Sequence, residues 1–137
     1  MVRIDIRYEG DLRCQATHEP SGTALHTDAP VDNQGRGESF SPTDLVATAL
    51  GSCIATIMGI AAGRHEVDLT GMRITVVKSM VTEPERRIGK LNTILHIPVE
   101  PDEKVRTILE RAAHSCPVHR SLHPDMEKPI LFRWGQA

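Results

Sequence analysis

The sequence predicts an α+β fold with largely antiparallel strand pairing. Strand-like segments come in runs, in the order βββ-α-ββ-α-α-β, rather than alternating singly with helices as a doubly wound sheet requires. No glycine-rich dinucleotide or P-loop motif is present. The 137 residues suit one domain, so 1–137 are read as a single domain.

Val2, Ile4 and Ile6 alternate with Arg3, Asp5 and Arg7, the period of a half-buried strand. Glu9-Gly10-Asp11 is a tight turn, 12–18 a second strand, Pro20-Ser21-Gly22 another turn, and 24–28 a third strand. Residues 30–39 hold Asp32, Asn33, Gly35 and Gly37 and read as a loop. Ser41 then suits an N-cap, Pro42 the first helical position, and Asp44 the positive end of the helix dipole. That helix runs to about Ala62 and stops at Gly63. Strands are expected over 72–82 and 91–99, joined by a charged turn at 83–89. Pro101-Asp102 opens a helix bearing Val105, Ile108, Leu109 and Ala112 at helical spacing. Cys116-Pro117 starts a short helix with the cysteine as N-cap, and 129–134 is a last strand.

Composition narrows the function. Net charge is −2, against a dedicated nucleic-acid binder. Tyr8, Phe40, Phe132 and Trp134 are the only Phe, Tyr or Trp residues, too few for base-stacking platforms. Residues 45–62 carry no charge and approach membrane-spanning length. They are rich in Ala, Gly, Ser and Thr and lack flanking aromatic belts, so a buried helix is expected and no membrane partner. The alternating, charged N-terminus lacks a secretory h-region. Three cysteines cannot staple a chain of this size, and with that N-terminus they point to a reducing, cytoplasmic setting.

Within the long helix Gly51, Ala55 and Gly59 share one face. An interior glycine costs about 1 kcal/mol of helix propensity against alanine, so close packing should offset it. Either a sheet of the same chain or a second helix can be the neighbour.

Cys53 lies eleven residues past Pro42, beyond the reach of the helix dipole. Taken alone it reads first as a small buried hydrophobe; as a reactive thiolate it would need a cation or donor from elsewhere in the fold. Cys116, as an N-cap, faces unsatisfied backbone N–H groups, which lower a thiol pKa. Two thiols, one attacking and one resolving, are the parts of thiol redox chemistry. Cys14, on the second strand, has no such cue. A competing constellation is metal: His114, Cys116, His119 and His123 fall within ten residues, and zinc accepts such ligands.

The segments Ser41-Pro42-Thr43-Asp44-Leu45 through Ala49-Leu50-Gly51-Ser52-Cys53, and Ala113-His114-Ser115-Cys116-Pro117-Val118, resemble the OsmC/Ohr family, named for osmotically inducible protein C and organic hydroperoxide resistance protein. The element order matches along nearly the whole chain. The resemblance implies an OsmC-like α+β fold, with antiparallel sheets around a long buried central helix, in an intertwined homodimer. It also implies Cys53 as peroxidatic and Cys116 as resolving thiol, organic hydroperoxides as substrate, a cellular dithiol as reductant, and no metal, flavin or nucleotide cofactor. Family peroxidases support the thiolate with an arginine from the first strands, which Arg13 matches, and a glutamate early in the cysteine helix. Thr43 stands at that glutamate's place, and Glu38 is the candidate substitute. The alternatives are a non-enzymatic stress-response or binding module with vestigial cysteines, and metal binding through the His114–His123 segment.

Overall fold

A computed structural model describes residues 1–136. The chain divides into two compact units, Met1–Val46 and Ala47–Ala137.

The first unit is an antiparallel meander of β1 (Ile4–Gly10), β2 (Arg13–His18) and β3 (Ala24–Asp28), in that order. Its register pairs Ile6 with Ala16 and Ala16 with Leu25 across one row, and Arg13 with Asp28 in another. The alternating pattern of β1 made a strand, but not a half-buried one: Ile6 is 68% exposed, and Ile4 and Tyr8 are exposed beside it. Nothing in this unit covers that apolar row. After β3 a 3-10 turn, Val31–Asn33, starts a loop that doubles back on itself. Gly35 lies so close to the Ala29 carbonyl that a Cβ would overlap it, and Gly37 N–H donates to the same carbonyl at 3.2 Å. Helix α1 spans Pro42–Gly63. Its start is a reciprocal cap: Asp44 N–H donates to Ser41 Oγ at 3.1 Å, and Ser41 N–H donates to Asp44 Oδ2 at 2.9 Å.

The second unit holds β4 (Arg73–Val81), β5 (Arg87–Ile97), α2 (Glu103–His114), α3 (Pro117–Ser121) and β6 (Ile130–Trp134). β4 and β5 are antiparallel, whereas β5 and β6 are parallel. Parallel pairing follows from the connection: α2 and α3 return the chain to the end of the sheet where β5 began, as any parallel crossover must. β5 starts before the expected 91 because Arg87 and Ile88 pair with Val81 and Met80. The core is aliphatic: Leu50, Ile54 and Met58 of α1, Leu91, Leu95 and Ile97 of β5, and Leu109 and Ala113 of α2 are fully buried.

Helix α1 passes the length and composition test for crossing a membrane. Its buried stripe is Ala47, Leu50, Gly51, Ile54, Met58 and Ala62, the spacing of a helix lying on a sheet. A Cβ on Gly51 would stand 2.9 Å from Val76 Cγ2 and 3.4 Å from Ile74 Cγ2, so this glycine admits β4. Gly59 has nothing within 4 Å, and Ile60 is 51% exposed. The small-residue face is therefore divided, with Gly51 serving the chain's own sheet and Gly59 open.

Candidate active site

α2 is N-capped by Asp102, whose Oδ1 accepts the Val105 N–H at 2.9 Å. It ends at His114, Ser115 forms its C-cap, and the chain re-enters a helix at once. Cys116 is the N-cap of α3: its backbone is extended, Pro117 occupies the first turn, and its Sγ accepts the His119 N–H at 3.3 Å. Cys53 sits in the middle of α1, half-buried, where the rigid helix fixes its direction.

The fold brings these two thiols together. Both are free, and Cys53 is a near neighbour of Cys116, close enough to act on its thiol. Burial pushes the Cys116 thiol above its ordinary value, the backbone N–H of His119 opposes this, and the neighbouring Cys53 thiol raises it again. The N-cap position was expected to lower it. Burial wins because Cys116 is 0% exposed, and removing a thiolate from water outweighs the cap donors.

The histidine-rich segment does not assemble a metal centre. Among the described residues no group of three His, Cys, Asp or Glu side chains is placed to hold an ion. The geometry gives the reason. His114 meets His119 edge to face, with ring centroids 6.0 Å apart, and lies 6.1 Å from the Phe132 ring. His123 turns Nδ1 back onto the Asp125 N–H at 3.0 Å. Burial, then Lys128, then His114 lower the His119 pKa, so its ring is held neutral.

In the first unit Arg13 and Glu38 meet, Nη2 to Oε2 at 2.6 Å. The Glu38 hydrogen bond, then the charge of Asp28, hold the guanidinium still more firmly protonated than usual. Asp28 was not singled out in the sequence. It is 1% exposed, and its Oδ2 accepts both Arg13 Nη2 at 3.5 Å and the Glu38 N–H at 3.0 Å. Its Oδ1 has no hydrogen-bond partner among the described residues. The signal was the strand register, since Asp28 is the cross-strand neighbour of Arg13. Arg13, His26, Asp28, Glu38 and Ser39 line a polar cleft of about 180 Å³. Asp44 Oδ2 accepts the Ser41 N–H in the helix cap. Thr43 Oγ1 lies 3.2 Å from Ser41 Oγ. Cys14 is half-buried on β2, paired with Tyr8 and Thr27 in the register.

Comparison with known proteins gives this geometry a family. A solved structure from Psychrobacter arcticus 273-4, provisionally described as an osmotic stress induced and detoxification response protein, is 43% identical, with a TM-score of 0.91 over 96% of each chain. An organic hydroperoxide resistance protein OsmC from Legionella pneumophila shares the fold at 14% identity, with a TM-score of 0.78 over 97% of this chain and 96% of that one. The organic hydroperoxide resistance protein OhrB of Bacillus subtilis does so at 15% identity and a TM-score of 0.69, over 97% of this chain and 98% of the other. No curated protein sequence matches. The family model described as OsmC-like protein matches residues 35–127, from the loop before α1 to the approach to β6, and the chain belongs to that family.

Proposed function

We propose that this protein reduces organic hydroperoxides with Cys53 as peroxidatic and Cys116 as resolving thiol. The observation that carries this reading is the pair itself: two free, neighbouring thiols, one half-buried and one fully buried. The family includes organic hydroperoxide resistance proteins, which supports the substrate class.

The Cys53 thiolate attacks the distal oxygen of the peroxide. The O–O bond breaks, the alkoxide takes a proton and leaves as alcohol, and Cys53 becomes a sulfenic acid. Cys116 then attacks that sulfur, the hydroxyl leaves as water with the Cys116 proton, and a disulfide forms. A dithiol reduces the bridge, which suits a reducing, cytoplasmic setting.

Arg13 is the proposed cation for the thiolate, oriented by Glu38 and Asp28. Arginine stays charged at any working pH and presents paired donors. Arg13→Ala should raise the Cys53 pKa, read by pH-dependent alkylation in a Cys14→Ser/Cys116→Ser background. An unchanged pKa would remove Arg13 from the mechanism.

A second copy of the chain is the proposed partner. The open side of α1 carries Thr48, Ser52 and Thr56. Ser52 Oγ donates to the Thr48 carbonyl at 2.8 Å and Thr56 Oγ1 to the Ser52 carbonyl at 2.8 Å. Hydroxyls satisfied by their own helix can be covered by another helix without stranding a donor. The exposed Ile4, Ile6 and Tyr8 row is a second surface for that copy to bury.

The test is peroxide consumption with a dithiol reductant. Wild type should turn over, Cys53→Ser should not, and one equivalent of organic hydroperoxide should remove two thiols from the wild type. Full activity in Cys53→Ser would overturn the reading.

A further inference from the structure

A disulfide offers an incoming thiol two sulfurs, and the reductant must choose one. Leaving-group chemistry and access disagree here. Burial holds the Cys116 thiol above its ordinary value, which makes it a poor leaving group and by itself favours attack on Cys116. Access favours Cys53. Cys116 is 0% exposed, whereas Cys53 is only half-buried. Delivering a thiolate to the fully buried Cys116 would strip it of water, a larger penalty than a poorer leaving group. The leaving-group handicap is also softened locally. Cys116 Sγ already accepts the His119 backbone N–H at 3.3 Å, a bond that strengthens when the sulfur becomes anionic.

We infer that the thiol donor attacks the Cys53 sulfur, so that Cys116 departs into its capped site and Cys53 carries the mixed disulfide with the reductant. The donor thiolate bonds to Cys53 Sγ. The Cys53–Cys116 bond breaks with its electron pair on Cys116, which takes up the proton the donor lost. The donor's second thiol then attacks the donor sulfur of the mixed disulfide, giving the donor disulfide and free Cys53. The donor loses two electrons and the bridge gains two. This rests on the bridge in the proposed cycle.

The test needs no peroxidase activity. The Cys14→Ser protein is oxidised with diamide, exposed briefly to glutathione, quenched in acid, and alkylated with N-ethylmaleimide. Glutathione, a monothiol, cannot resolve its own adduct. Peptide mapping should find glutathione on Cys53 and maleimide on Cys116. Glutathione on Cys116 would overturn the inference, and so would failure of diamide to close the bridge. In a parallel measurement, Cys116 in Cys53→Ser should react with an aromatic disulfide reagent roughly tenfold or more slowly than Cys53 in Cys116→Ser. Equal rates would overturn it too. A protein that bridges and exchanges in this way yet consumes no hydroperoxide would sink the peroxidase reading alone.

Discussion

Two buried polar atoms of the second unit respond to substitution in opposite ways. Thr93 is fully buried in β5 and its Oγ1 has no hydrogen-bond partner among the described residues. A buried hydroxyl without a partner pays its desolvation for nothing, so Thr93→Val should stabilise the protein by about 1 kcal/mol. Urea denaturation reads this as a raised midpoint at unchanged slope; a lowered midpoint would mean the hydroxyl has a partner. Cys116 is coupled to pH. Its folded pKa lies above the ordinary 9.0, so the folded protein keeps a proton that the unfolded chain releases. The resulting stability is fully present below the unfolded value and is lost as pH rises through the folded one. The reduced wild type should therefore lose stability faster than Cys116→Ala between neutral pH and about pH 10. Parallel pH profiles for the two proteins would contradict the burial argument.

The elements that hold the polar side chains were mostly legible from local chemistry. Ser41, Pro42 and Asp44 announced α1, and Cys116-Pro117 announced α3, because caps act within one turn of chain. Positions that depend on packing were not legible in the same way. Whether Gly51 faced a sheet or a helix depended on β4, and the pKa direction of Cys116 depended on what covered it. Asp28 was missed because its partner is set by strand register, which the turn at Pro20–Gly22 fixes only in three dimensions. The loop before α1 is the element most exposed to a single change. Gly35 leaves no room for a Cβ beside the Ala29 carbonyl, and Glu38 reaches Arg13 only because the loop closes there. Gly35→Ala must move backbone rather than a flexible side chain, so it should cost about 1–3 kcal/mol. If Glu38 acts through Arg13, the same variant should also raise the Cys53 pKa. Wild-type stability in Gly35→Ala would show that the loop relaxes freely.

For the molecule as a whole, the question is what covers α1. A helix of 22 residues with almost no charge buries only one stripe within this chain. The exposed row on β1 poses the same question for the first unit. A homodimer that answers both would be obligate, with an interface on the order of 2,000 Å² or more. Light scattering at micromolar concentration should give twice the chain mass, and a folded monomer would refute it. Gly51→Leu is a poor probe, because its side chain would strike Val76 and damage the chain's own sheet. Gly59 is the better position, since a Cβ there meets nothing within 4 Å in the single chain. In a monomer, Gly59→Ala would simply gain helix propensity, about 1 kcal/mol of added stability. Against a closely packed second helix that gain should vanish or reverse. Gly59→Arg should fold, yet dissociate to monomers or aggregate through the uncovered apolar face. A Gly59→Ala protein stabilised by the full propensity difference would leave α1 facing water, and a Gly59→Arg protein that remained a dimer would place the second copy elsewhere.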